Sequence, residues 1–555
     1  MDSTTIAGIL SATTQQSESF IALEIAFVAL LSVAALVAYA SRRLRHLPYT
    51  VALVIVGGAL TFISNETLTL GGNFGNIILL LLVPPLIFEA TLHIKWDALR
   101  RDLLPILLLA LGGSLFGAFL VAWPVSAILG FTPLAAFTFG ALIAATDPVA
   151  VIAFFRSSGV SQRLALLVEG ESLFNDGVAI VLFTIALSLG QEVAEGLSAS
   201  PQISLAFLEF LRVAGGGLLV GMTFGYLVST IILKQVDDHL IETATTVALA
   251  FGSFVVAERL HLSGILAVVA AGIFVGNIGS QNTSPTTQIT LNNFWEFLAF
   301  TANSLVFLLI GLQTEVTDLL QSATKIGVAV VAVLLSRAII VYGLTALSNR
   351  LNALRRIPLR FQHVMFWGGL RGAISLALAV KLVETPDIFG RTATSDILLM
   401  TFGVVLFTLL AQATTLTSLL RRLGLSQKPA HVVEKERHQG ALLAKRAGKD
   451  MLDRLHREGG LAHEIWEAMT VVYNEDIALS SDHLRTHLQN YAELKQQMVM
   501  QARQETIKAE RSALAEALRR GLVSEEVYQE LIRQTDNRAA ALNILRRAQD
   551  EEVSR

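Results

Sequence analysis

Long runs of apolar residues, separated by short polar segments, fill the first three quarters of the chain. A membrane-spanning helix needs about 20 mostly apolar residues. The predicted spans are 19–40, 48–64, 75–93, 103–129, 132–155, 164–190, 203–233, 240–259, 262–278, 293–313, 325–348, 361–384 and 395–420. This pattern of about thirteen spans predicts an all-α, polytopic membrane protein.

Charged residues are distributed unevenly and divide the chain. Residues 425–555 hold 41 of the 87 charged side chains. Over the whole chain 16% of residues are charged, compared with about 25% in soluble proteins. We therefore predict an N-terminal extracytoplasmic segment at 1–18, a transmembrane domain at 19–424 and a cytoplasmic helical domain at 425–555. In the last of these, Gly521 is a predicted helix stop before a cap at Ser524.

Basic residues in the predicted loops orient the protein. With the N-terminus outside, the cytoplasmic loops contain sixteen Lys and Arg residues and the outer loops contain four. Because basic loops stay in the cytoplasm, the tail is predicted there too. The net charge of −3 argues against nucleic acid as a partner. The chain has no cysteine and no His-Glu-x-x-His or Gly-x-Ser-x-Gly motif, so neither an enzyme nor a cofactor is predicted.

Asp147 lies in the middle of the fifth predicted span, directly before Pro148. A residue before proline avoids the α region, and proline lacks a backbone donor. We therefore expect the helix to unwind here, which is tolerated where the broken segment lines a cavity. A solvated aspartate at a simple proline kink is the alternative.

The sixth span places several polar side chains on one helical face. Glu171 and Asn175 are four residues apart, and Ser172 and Asp176 repeat that spacing on the adjoining stripe. Carboxylate, amide and hydroxyl oxygens suit a hard cation. Glu169 lies nearer the cytoplasmic end of the span and is interpreted as interfacial.

Three further charged residues stand out within predicted spans, where a charge needs a partner or a function. Glu89 either lines an ion pathway or faces a polar bundle interior. Arg337 is too deep to reach water easily, which predicts a paired carboxylate. Arg371 lies in a glycine-rich break of the twelfth span and could offset the negative ends of half-helices. In the seventh span, Gly217, Gly221 and Gly225 are four residues apart, which predicts a helix-packing face.

Together these motifs resemble the sodium/proton exchanger family, the electroneutral branch of the monovalent cation:proton antiporters. The resemblance covers roughly residues 20–425. It is carried by Thr146-Asp147-Pro148, Gly170-Glu171-Ser172-Leu173-Phe174-Asn175-Asp176, Gly264-Ile265-Leu266, Phe274-Val275-Gly276-Asn277 and Gly368-Gly369-Leu370-Arg371-Gly372. The family's fold implies thirteen helices, with two inverted six-helix repeats around a linker helix. It also implies that helices five and twelve are broken and cross, and that a core domain moves against a dimerisation domain.

The resemblance also implies an ion site. Asp176 resembles the family's ion-binding carboxylate, and Ser172, Asp147 and the Thr146 carbonyl resemble its other ligands. The implied function is exchange of Na⁺, with Li⁺ or K⁺ as alternatives, for H⁺ in a homodimer of the cell membrane. Asp176 would bind a cation or a proton in turn.

Other positions have implied supporting roles. Asn175 marks the electroneutral branch, Glu171 and Arg337 resemble its buried salt bridge, and Glu89 resembles an accessory acid near the cation path. A cation channel is the alternative function, although the polar groups cluster in two spans rather than along a continuous lining. The tail is interpreted either as a solvated helical domain or as a regulatory domain that binds a ligand.

Overall fold

The computed structural model describes residues 25, 27–41, 49–60, 78–195, 203–236, 238–280, 283, 285–312, 316–352, 355–383, 385, 388–425, 430–535 and 538. These residues are mostly helical, and no strand occurs among them. The chain divides into two compact units, Met1–Gln427 and Lys428–Arg555. The predicted N-terminal segment at 1–18 lies outside the described residues.

The first unit consists of apolar helices that overlap each of the predicted spans. In chain order they are α1 Phe27–Ser41, α2 Tyr49–Leu60, α3 Ile78–Leu92, α4 Leu103–Leu129, α5a Pro133–Leu142, α5b Val149–Ser158, α6 Gln162–Ala194, α7 Ile203–Leu227 with its continuation to Gln235, α8 His239–Arg259, α9 Gly264–Gly279, α10 Pro285–Leu312, α11 Ala323–Leu351, α12a Leu359–Trp367, α12b Ala373–Val383 and α13 Arg391–Arg422.

Within the described ranges, six helices are long and apolar enough to cross a membrane on their own: α4, α6, α7, α8, α11 and α13. The all-α polytopic fold is therefore confirmed, whereas the number of crossings stays a prediction. Two of the predicted spans, 132–155 and 361–384, are each interrupted. The interruptions separate α5a from α5b and α12a from α12b, and they create the functional region described below.

A stripe of glycines lets α7 approach α9 closely. Gly217 faces the backbone of Ser263, and Gly221 faces that of Ala267, with no room for a Cβ atom on either glycine. Gly225 continues the same contact one turn further along. Small residues at a membrane helix interface permit this backbone contact. The predicted packing role of the stripe is confirmed.

The second unit is a set of helices with a soluble composition. They are α14 Ala430–Arg457, α15 His463–Asn490, α16 Ala492–Arg519 and a short helix at 525–535. Gly521 has a φ of 67°, a left-handed conformation that ends α16 as predicted. The Ser524 hydroxyl accepts a hydrogen bond from the Val527 backbone N–H at 3.4 Å, which caps the next helix as predicted.

Helices α14 and α15 pack side by side within this unit. The Trp466 indole N–H donates to Asp453 at 2.9 Å, and Lys445 forms an ion pair with Asp476. That hydrogen-bonded carboxylate raises the pKa of the Lys445 amine above its ordinary value. These contacts join the two helices of the tail to each other.

Candidate functional site

The unwound segment between α5a and α5b presents two of the predicted ligands. Leu142 ends the first half-helix, Val149 begins the second, and Thr146 and Asp147 lie between them. One carboxylate oxygen of Asp147 accepts a hydrogen bond from the Val149 backbone N–H at 2.9 Å. The carboxylate thereby caps the positive end of α5b. The expected unwinding at Asp147 is confirmed.

The break in α12 lies against the break in α5. The backbone N–H of Asp147 donates to the carbonyl of Leu370 at 2.8 Å. Gly372 approaches Asp147 so closely that a Cβ atom on the glycine would overlap the aspartate side chain. Each unwound segment therefore satisfies backbone groups that its own helix has released, as buried backbone groups require.

Arg371 neutralises the end of the first half-helix. Its Nη1 donates to the carbonyls of Ala144 at 2.7 Å and Ala145 at 3.0 Å. Those oxygens are at the C-terminal end of α5a, which carries a partial negative charge. The Arg371 backbone N–H donates to the Thr408 hydroxyl at 3.1 Å. The structure thus places Arg371 at a half-helix end, and its role in offsetting the charge there stays a prediction.

Helix α6 holds Thr146 through two polar side chains. The Asn175 amide donates to the Thr146 hydroxyl at 2.7 Å, and its carbonyl oxygen accepts from the Thr146 backbone N–H at 3.2 Å. The Ser172 hydroxyl donates to the Thr146 carbonyl. Asn175 thus positions the broken segment, a structural task that its family motif did not indicate.

A cavity opens in front of this arrangement, and Asp147 and Asp176 both line it together with Thr146. Leu86, Ile87 and other apolar residues of α3 form the facing wall. Carboxylate and carbonyl oxygens are the ligands of hard cations. Among the described residues, no group of three or more His, Cys, Asp or Glu could hold a resident metal ion.

Glu171 and Arg337 form a bidentate ion pair behind the cavity. Nη2 of Arg337 lies 2.9 Å from one carboxylate oxygen, and Nη1 contacts the other. Nη2 also donates to the Met365 carbonyl at 3.0 Å. Glu171 is 2% exposed and Arg337 is 8% exposed, so the pair is buried. The paired carboxylate predicted for Arg337 is confirmed as Glu171.

Glu89 lies on α3 but does not border the cavity. Leu86 and Ala90 of the same helix line the cavity. Its carboxylate lies 3.7 Å from Nδ1 of His93, one turn further along α3. The role of Glu89 as an accessory acid stays a prediction.

The cavity also includes two residues that the sequence did not indicate as part of the site. Glu169, interpreted above as interfacial, lines the cavity with Asp176. The signal was available, because seven residues are two helical turns and bring both carboxylates to one face of α6. Asn303 of α10 lines the cavity as well. No charge or motif around it marks that position.

Comparison with known proteins agrees with this geometry. The family described as sodium/hydrogen exchanger, transmembrane, matches residues 28–422. The Na⁺/H⁺ antiporter ApNhaP of Aphanothece halophytica is 38% identical over 382 residues, which cover 69% of this chain and 70% of that protein. The Na⁺/H⁺ antiporter NhaG of Bacillus atrophaeus is 35% identical over 495 residues, covering 86% and 90% respectively.

The solved structures show the same fold. The sodium proton antiporter MjNhaP1 from Methanocaldococcus jannaschii, solved at pH 8, superposes with a TM-score of 0.62 at 19% identity. The match covers 73% of this chain and 99% of that one. With a family match across most of the chain and curated relatives above 30% identity, this chain belongs to the sodium/hydrogen exchanger family of membrane transporters.

Proposed function

We propose that this protein is a secondary active transporter that exchanges Na⁺ for H⁺ across the cell membrane by alternating access. The observation that carries the proposal is the cavity shared by Asp147 and Asp176 beside two unwound helices. The curated relatives named as Na⁺/H⁺ antiporters support it. Such exchange would serve pH and cation homeostasis.

In this mechanism Asp176 is the group that exchanges its ligand. Its carboxylate binds either a cation or a proton, because both require the same negative charge. Asp147, the Ser172 hydroxyl and the Thr146 carbonyl supply the other oxygens. In the structure the Ser172 hydroxyl donates to the Thr146 carbonyl, so these two oxygens are already neighbours. A cation between them would replace that hydrogen bond with ion–oxygen contacts.

Charges in the site support a one-for-one exchange. Arg337 stays paired with Glu171, and Asn175 does not titrate. Asp176 is then the one group proposed to change its ligand in each turnover. A guanidinium does not release its proton in proteins. An uncompensated buried charge is costly. The site therefore switches between the two faces of the membrane more readily when it holds a cation or a proton than when it is empty.

The membrane orientation that we propose has the N-terminus outside and the tail in the cytoplasm. The distribution of Lys and Arg in the loops supports it. In this orientation, the cavity extends from Asp176 toward the cytoplasmic end of α6, where Glu169 lies. We further propose a homodimer, as the family resemblance implies, and a tail that binds a regulatory ligand.

A proteoliposome assay tests exchange against channel activity. Purified protein is reconstituted, and proton efflux is measured while Na⁺, Li⁺ or K⁺ is added in turn. An antiporter moves protons when a transported cation is supplied and moves that cation when a proton gradient is supplied. A channel instead passes cations without any proton movement, and that result would contradict the proposal. The comparison of three cations also gives the selectivity.

A further inference from the structure

Asn303 contributes a buried polar group to the cavity from the side opposite α6. It is 8% exposed and lines the same cavity as Asp147 and Asp176. Because Asn303 shares the cavity with the two carboxylates, it borders the space that a transported ion would occupy.

The helix that carries Asn303 packs against a different set of helices from those that carry the other proposed ligands. Helix α10 packs mainly against α2, α3 and α8, and it meets the broken helices through α12b. The next residue, Ser304, forms a 2.7 Å hydrogen bond with the Tyr49 hydroxyl of α2. Two successive polar residues thus have different contacts: Ser304 joins α10 to α2, whereas Asn303 lines the cavity.

We propose that Asn303 is an additional ligand of the transported cation, which it contacts through its amide oxygen in the conformation described here. The inference rests on the proposed exchange function. An amide oxygen is an accepted ligand for hard cations. It adds no charge to the site.

The location of Asn303 predicts that it contributes to cation binding only when the cavity opens to one face of the membrane. Asp147, Thr146, Ser172 and Asp176 are on the broken α5 and on α6, whereas Asn303 is on α10. In alternating access, the first group of ligands moves relative to the helices around it. The contact with Asn303 is then made while the cavity faces one way and is lost when it faces the other.

The test measures the apparent KM for Na⁺ separately at each face of proteoliposomes with a known protein orientation. Asn303→Leu keeps the side-chain size and removes the oxygen. We expect it to raise the KM by about five-fold at the face to which this cavity opens, as the loss of one neutral polar contact does. The KM at the other face should stay unchanged. Asn303→Gln keeps an amide oxygen and adds no charge, so its KM should rise less than that of Asn303→Leu.

Ser304→Ala is the matched control, because it removes a polar group from the adjacent position without altering the cavity lining. Its KM should equal that of the unaltered protein. If Asn303→Leu does not fold, Asn303→Ala removes the same oxygen with a shorter side chain. An unchanged KM in Asn303→Leu, an equal rise at both faces, or an equal rise in Ser304→Ala would overturn the inference. Absence of exchange by the unaltered protein would instead contradict the proposed function.

Discussion

Gly372 and Asp147 are in direct contact across the two helix breaks, and a methyl group on the glycine would overlap the aspartate side chain. Gly372→Ala should therefore displace the Asp147 carboxylate from the cavity. Small misplacements of a functional group can reduce a rate by about a hundred-fold. We expect a loss of Na⁺/H⁺ exchange of that order in proteoliposomes.

A glycine in open surroundings provides the control for this substitution. A Cβ atom on Gly327 of α11 would meet nothing within 4 Å, so Gly327→Ala should exchange like the unaltered protein. Normal exchange by Gly372→Ala would show that the close contact does not position Asp147.

Asp176→Asn should abolish exchange, because it removes the group proposed to bind cation and proton in turn while keeping the side-chain size. Folding and oligomeric state, followed by thermal unfolding and size-exclusion chromatography, should not change. Asp318→Asn is the control, since Asp318 is exposed in a short helix away from the cavity. If purified Asp176→Asn retained a substantial fraction of exchange, another group would have to be the exchanging carboxylate.

Removing one partner of the buried Glu171–Arg337 pair should destabilise the protein. The remaining charge is left uncompensated, which typically costs about 3–5 kcal/mol. Glu171→Ala and Arg337→Ala should each lower the thermal unfolding temperature, and the double variant should recover part of the loss. The exposed pair of Asp97 and Arg100, 2.5 Å apart between two predicted spans, should give effects of about 0–1 kcal/mol in the same measurement.

The double-mutant cycle shows whether Glu171 and Arg337 interact directly in the folded protein. A strong departure from additivity is expected because the side chains contact each other directly. Strictly additive losses would mean that the two residues do not interact in the folded protein.

Exchange should be independent of membrane potential. Moving one uncompensated charge through 100 mV is worth about 2.3 kcal/mol, or about fifty-fold in an equilibrium ratio. With the voltage set by K⁺ and valinomycin, and provided that K⁺ is not itself transported, the gradient at which the flux reverses should stay constant. A shift of the reversal point with voltage would reveal net charge transfer. Glu171, Asp147 or Glu89 would then also exchange protons.

The parts of the site that could be predicted from sequence are those where physics leaves few alternatives. A buried arginine such as Arg337 requires a carboxylate, and a proline after Asp147 disfavours a continuous helix. The ion pair of Arg337 and the helix break at Asp147 could therefore each be predicted from one position in the chain. The penalty on an unpaired buried charge is what requires a partner for Arg337.

The parts that could not be predicted are those where the penalty is small or where helix rotation decides. Glu169 could be solvated at a span end as easily as in a cavity, and Asn303 is a neutral amide that many environments accept. Glu89 depends on the rotation of α3, which side-chain packing sets. These positions required three-dimensional placement.

The hydrogen bond between the Asp147 backbone N–H and the Leu370 carbonyl makes the two helix breaks depend on each other. Each break relies on the other, since Arg371 also occupies the carbonyls of Ala144 and Ala145. A substitution that restored helix at 143–148 would leave the groups at 368–372 without partners. Straightening one helix would therefore also destabilise the break in the other. The two breaks behave as one structural unit.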